Sequence, residues 1–451
     1  MKTISAFLTI AMIVGGCTSK TRTAGDEKKS MDYVKNTNAI SLNDDRTKEP
    51  PASILNPVTT GKKITVGGAG ADIRGFTSEA IQTAVDAIHL SGGGTVILSA
   101  GNYDITAPVK LYSNMELRGS GKSTILKKCK GFRSGFALDA DYGELKITVR
   151  DASGFQPGMG VAVYDDDQRT GWSPTTARIT SVSGNDIYLD SWLLRDYAAD
   201  RNGTISNACS VIEAIESENL KISDLMVDGN RETNDMIDGC RAGGVYLHKV
   251  KNALVENVIV RDFNFDGISW QITEHVTVRN CEISGCANAG LHPGTGSPYT
   301  IIEGNSSHNN DGYGLFVCWR VRNGIVENNN FYRNGRNGIC TGHKDTDMLY
   351  AGNTITENGG DGIFLREEKD KNAPHRSIFR KNIIENNGTK NGGYGLSVNS
   401  KAEGVVLEEN IIKNSGIGKQ IAAVMLMKNS LPVSMVNNNI SGHEKGEVVK
   451  E

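Results

Sequence analysis

The chain has 451 residues, 38% of them apolar and only 6% aromatic, while glycine is abundant at 52. A formal net charge of -3 excludes the basic balance that nucleic acid or an anionic membrane surface would recruit. The length admits one large or two ordinary domains, and the glycine-rich mix suits short strands joined by tight corners.

The N-terminus reads as a leader. Lys2 precedes the apolar stretch Ile4 to Val14, followed by Gly15-Gly16-Cys17. A spanning helix needs about 20 apolar residues, so residues 1–16 fit a signal peptide instead. Val14 to Cys17 resembles a bacterial lipoprotein lipobox. That resemblance implies lipidation at Cys17 and anchorage in the cell envelope, at the outer membrane or cell surface, with no other membrane contact. Residues 17–62, rich in Lys, Asp and Thr, are expected to form a polar tether. The seven remaining cysteines lack CxxC spacing and are odd in number, which argues against a disulfide framework or a structural zinc site.

The folded part is expected over 63–443. Thr77 can cap a helix that puts Ile81, Ala84, Val85 and Ile88 on one face. Gly92-Gly93-Gly94-Thr95-Val96-Ile97-Leu98 and Gly101-Asn102-Tyr103 follow, then Leu117-Arg118-Gly119-Ser120-Gly121. This order resembles the start of the pectin-lyase-like superfamily of right-handed parallel β-helices, in which such a helix covers the first coil. The fold class is therefore expected to be all-β: a single-stranded right-handed parallel β-helix with an N-terminal capping helix and a small β insertion. The insertion is placed at 144–200, where Gly/Asp/Ser turns break the rhythm. Its run Asp165-Asp166-Asp167 reads as a solvated turn, with calcium as the alternative. No cofactor is predicted.

From Leu220 onward a repeat takes over. Gly244-Val245, Gly267-Ile268, Gly290-Leu291, Gly314-Leu315, Gly338-Ile339, Gly362-Ile363 and Gly395-Leu396 are spaced by 23, 23, 24, 24, 24 and 33 residues. Asn257, Asn280, Asn305, Asn329, Asn353, Asn382 and Asn410 run in parallel and are expected to stack at a corner. Such a period fits one coil of a solenoid. Residues 444–451 are expected to be a tail.

Alternation along each strand sorts side chains by face. Ile268, Leu291, Leu315, Ile339, Ile363 and Leu396 must point inward, as must the row Trp270, Pro293, Val317, Thr341, Leu365 and Val398. Ser269, His292, Phe316, Cys340, Phe364 and Ser397 then point outward, with Gln271, Gly294, Cys318, Gly342, Arg366 and Asn399 beside them. Thr295, Trp319, Arg320, His343, Lys344, Asp345, Glu367 and Glu368 sit at the strand ends. Histidine, aromatic rings and arginine on an outer wall mark a binding groove, and a long groove suits a polymer.

Proton abstraction next to a carboxylate needs a base and a cation that neutralises the acid. His292 or His343 can be the base, Arg320 or Lys344 the cation. Gln271, Thr295, Phe316, Trp319, Asp345, Arg366, Glu367 and Glu368 are candidate substrate contacts, Trp319 as a sugar platform. The arrangement resembles uronate C5-epimerases and β-helical polysaccharide lyases; in the epimerases a histidine near a proline precedes a strand-end arginine by one coil, places comparable to those of His292 and Arg320. It departs from the epimerase segment Asp-Pro-His-Asp, since this chain has Leu291-His292-Pro293-Gly294. The leading expectation is a polysaccharide-directed uronate lyase or epimerase. One rival is a glycoside hydrolase using paired carboxylates among Asp345, Asp347, Glu367 and Glu368. The other is a glycan-binding surface protein without catalysis. The sequence does not decide whether a homo-oligomer forms.

Overall fold

Ladders of like residues, renewed once per coil, set the architecture. The computed structural model describes residues 61–451. The leader, Cys17 and the tether up to residue 60 lie outside them. The stack gives one strand per coil to an 11-stranded parallel sheet and further short strands to a 22-stranded one.

In the 11-stranded sheet Val245, Ile268, Leu291, Leu315, Ile339, Ile363, Leu396 and Val424 pair in register, coil after coil. All are fully buried, and so is the row running from Trp270 to Val398. Each fully buried aliphatic side chain contributes about 1.5–3 kcal/mol, so the two rows supply much of the cohesion between coils. Thr77 caps the helix Ser78–Leu90 by accepting from the Ala80 amide. Its face of Ile81, Ala84, Val85 and Ile88 packs on the first strands, Lys63–Gly67 and Gly94–Leu98.

The asparagines stack at one corner, but only from Asn305 onward. Each Nδ2 of Asn305, Asn329, Asn353 and Asn382 donates to the Oδ1 of the next asparagine at 2.9–3.0 Å. That oxygen also accepts the backbone N–H of the asparagine before it. Asn257 and Asn280 stand outside the row. They are exposed corner residues with positive φ, the left-handed turn that asparagine tolerates. A second row, Asn310, Asn334, Asn358 and Asn387, repeats the pattern and closes on Gln420.

Between Arg133 and Ser206 the chain leaves the stack for a six-stranded antiparallel sheet. Phe136, Val149, Val161, Ile187 and Ile205 form a core of its own. The sheet is longer than the expected 144–200 because Arg133–Gly135 and Thr204–Ser206, which flank that span, pair with each other. It stands over the first coils, where Arg178 donates to the Pro108 carbonyl at 3.2 Å. Asp165 is not a solvated turn residue. Its buried carboxylate accepts from the Asp167, Gln168 and Ala198 amides and pairs with Arg201. At the other end, Val448–Lys450 continues the 11-stranded sheet, so the expected tail carries a strand.

Candidate active site

Register places the outward side chains of the 11-stranded sheet in rows. Lys110, Glu213, Tyr246, Ser269 and His292 follow one another by direct pairing. Phe316, Cys340, Phe364 and Ser397 continue the row. Beside it run Ile215, His248, Gln271, Gly294 and Cys318. His292, Arg320 and His343 therefore lie on successive coils of one wall, where the Arg320 amide donates to the His343 carbonyl at 2.8 Å.

The wall is less wet than its pattern suggests. Ser269, Gln271, His292 and Cys340 are buried rather than solvent-facing. The segment Asp238–Gly243 lies over Ser269 and His292, the Ser269 hydroxyl donating to the Gly239 carbonyl at 2.6 Å, while Arg366 comes within 3.8 Å of the Cys340 sulfur. A Cβ on Gly239 would stand 1.7 Å from Asp266 Oδ2 and 2.9 Å from His292 Nδ1, so only glycine passes there.

Under that cover sits a carboxylate–imidazole pair. Asp266, the residue before Gly267, accepts at Oδ1 from the Asn288 side chain and the Ala289 amide, both at 2.8 Å. Its Oδ2 lies 2.7 Å from His292 Nδ1. Burial alone would push this imidazole down, but the Asp266 carboxylate and the Cys318 thiol overcome it and raise the pKa to about 10. With Nδ1 held by Asp266, Nε2 is the exchangeable position. It lies 3.4 Å from the Gln271 side-chain nitrogen, and the half-buried Cys318 thiol is close enough to act on the ring.

One coil further, Phe316 meets the His292 ring edge-on at 5.1 Å, and the Arg366 guanidinium covers Phe316 at 4.9 Å. Arg366 donates to the Val317 carbonyl at 3.1 Å, while its Nη2 is buried without a hydrogen bond. Asp345, expected to touch substrate, is instead fully buried. It accepts the Gly342 and Val321 amides at 2.8 and 3.0 Å and stands 3.6 Å from Arg366. Burial lifts its carboxyl to about 6, against the opposing pull of Arg366. It anchors the corner that presents Arg366.

The strand ends form the exposed rim. Trp319, 49% exposed, stacks on His343 at 4.5 Å, and His343 Nδ1 meets Glu368 at 3.1 Å. Arg320, Lys344 and Glu367 are exposed and make no ion pair among the described residues. Thr295 is half-buried, its amide bonded to the Cys318 carbonyl. His275 and His308 stack on Tyr299 and Tyr332 in the other sheet, away from the wall.

Three residues of the wall escape a reading by pattern. Asp266 belongs to no ladder, and only the fold brings it beneath His292. Cys318 was placed in its row, but its contact with His292 follows from the stacking of coils. His248, expected on another part of the coil, shares the Gln271 row, as counting from Gly244 would have revealed. Trp172 of the inserted sheet lies against it at 5.4 Å, and burial pushes its imidazole down to about 4.

The stacked coils and their in-register parallel sheets define a parallel β-helix protein. The chain belongs to the "Rhamnogalacturonase A/epimerase, pectate lyase-like" family, whose profile matches residues 63–289, just over half of the chain. The profile "Right handed beta helix region" matches 212–379, in keeping with the handedness expected from the sequence. Among relatives, mannuronan C5-epimerases AlgE3 and AlgE2 of Azotobacter vinelandii are each 25% identical over 66% of this chain. The match spans only 12% and 25% of their lengths. The AlgE4 A-module of the same organism superposes with a TM-score of 0.55 at 18% identity, over 82% of this chain and 93% of its own. A Thermotoga maritima exopolygalacturonase reaches 0.52 at 16% identity, covering 90% and 95%. These structural likenesses concern the fold.

Proposed function

We propose that the protein is an enzyme acting on a uronate-containing polysaccharide by removing the proton next to the sugar carboxylate, as a lyase or C5-epimerase. The observation that carries this reading is the buried Asp266–His292 pair, which leaves Nε2 as the single nitrogen able to exchange a proton. Neutral His292 takes the proton at Nε2, and Asp266 stabilises the imidazolium that results. The developing negative charge on the substrate is met by Arg320 at the rim and by Arg366, whose Nη2 makes no hydrogen bond among the described residues and has only the ion pair with Asp345 at 3.6 Å. Trp319, stacked on His343, offers a flat apolar surface to a sugar ring. The leader and Cys17 fit an enzyme tethered in the cell envelope.

A hydrolase needs two carboxyl groups about 5–10 Å apart flanking the bond. On this wall Asp345 is committed to backbone amides, Asp347 to Arg376 and Glu368 to His343. That commitment favours proton abstraction over hydrolysis.

The test is to incubate the protein with mannuronan and polygalacturonate in heavy water. Deuterium at C5, or new absorbance near 232 nm from an unsaturated product, is expected, and both are expected to disappear in His292→Ala. New reducing ends without either signal would overturn the reading.

A further inference from the structure

North of the catalytic row, the same wall runs into a cleft of about 240 Å³. Its floor is Glu213 and Lys110, register neighbours in the row that leads to His292. Three strand spacings separate Glu213 from His292, which at 4.7–4.9 Å each is about 14 Å. The inserted sheet supplies Arg178 and Asp190 on one side, the capping helix Gln82 and Asp86 on another, and the covering segment Arg241. Gln82 closes the far end, because its side chain bonds both the amide and the carbonyl of Lys110.

The charges in this cleft divide into used and unused groups. Asp190 accepts from the Arg178 amide and Ser191, and Asp86 from Gln82. Arg178 donates to Pro108. Glu213 makes no hydrogen bond or ion pair among the described residues, nor does the Lys110 ammonium; Arg241 donates through Nη2 to the Thr176 hydroxyl at 3.5 Å and lies over the Trp172 ring, while its Nε is buried without a partner. Glu213 and the Lys110 ammonium thus face the space without a hydrogen bond, and Arg241 brings a second cation with an unused Nε. A uronate residue matches them, its carboxylate meeting the cations and its hydroxyls donating to Glu213. Between Ile215 of this cleft and Gln271 the neighbouring row carries His248, against which Trp172 lies at 5.4 Å.

We propose that this cleft is a subsite for the terminal uronate of the substrate chain, so that the enzyme engages chain ends about three strand spacings from His292. The inference rests on the uronate reading above, but its test does not depend on turnover. Tetramannuronate and tetragalacturonate are titrated calorimetrically into the wild type, Arg241→Gln and the near-isosteric Glu213→Gln. His308→Ala, in the other sheet, serves as the control, and melting curves confirm folding. At least tenfold weaker binding of the favoured tetramer is expected in Arg241→Gln and at least threefold in Glu213→Gln, with His308→Ala within twofold of wild type. Wild-type affinity in both cleft variants, or no tetramer binding by the wild type, overturns the subsite even if polymer is turned over. Tetramer binding that depends on the cleft, without C5 exchange or product on polymer, overturns the catalytic reading alone.

Discussion

Replacing Asp266 by asparagine isolates what the buried carboxylate does. The new side chain can keep its carbonyl oxygen on the Asn288 and Ala289 donors, so its NH₂ group then faces His292 Nδ1. A donor in that place forces Nδ1 to accept, which moves the ring hydrogen onto Nε2 and blocks proton uptake there. It also removes the charge that, together with Cys318, holds the ring at about 10 against the pull of burial. Burial, the largest single influence, then acts unopposed by Asp266 and pushes the ring down. The wild-type rate should climb with pH toward about 10 as His292 loses its proton. In Asp266→Asn that alkaline limb should vanish and the rate fall on the order of 10³–10⁴-fold, as expected when a catalytic histidine is held in the wrong tautomer. C5 deuterium exchange followed by NMR from pH 6 to 11, with the His292 ring resonance titrated alongside, measures both. An unchanged limb and rate in the variant would refute the role given to Asp266.

Other outcomes follow from the same geometry. Gly239→Ala should abolish activity while the coils stay folded by circular dichroism, because its Cβ would collide with Asp266. Trp319→Ala should raise KM for polymer several-fold with kcat nearly intact, since the ring is exposed and only stacks on His343. Asn329→Ala strips partners from the Asn305 amide and side chain and from the Ile302 carbonyl, and should cost about 2–5 kcal/mol in urea unfolding. The raised pKa of His292 means its pair with Asp266 stabilises fully below pH 6.5, the unfolded value. That contribution is lost as pH rises through about 10, so the urea midpoint should fall across this window.

The repeat made the interior legible: the buried rows from Ile268 to Leu396 and from Trp270 to Val398 are those that alternation assigns. It also located the outward row bearing His292, Phe316 and Cys340. What alternation cannot see is chain that returns from elsewhere. The Asp238–Gly243 segment turns a wet wall into a covered one, and Asp266 reaches His292 across a corner that carries no periodic signal. Asp345 was misread because strand-end acids look alike in sequence, whether they face water or fasten a turn. Asn257 and Asn280 share the spacing of the stacked asparagines yet turn exposed corners, since spacing reports position along the coil and not depth.

The stacked amides all point the same way, each nitrogen toward the following coil. Reversing one would set oxygen against oxygen on one side and nitrogen against nitrogen on the other, so no member can flip independently. The row works as a pin through the coils that fixes their vertical alignment whatever the length of chain between them. Steps of 24, 29 and 28 residues between bonded asparagines are accommodated without a change in bond length beyond 0.1 Å. Extra residues can thus accumulate in the loops between coils, while the corner keeps every rung of the wall at its height.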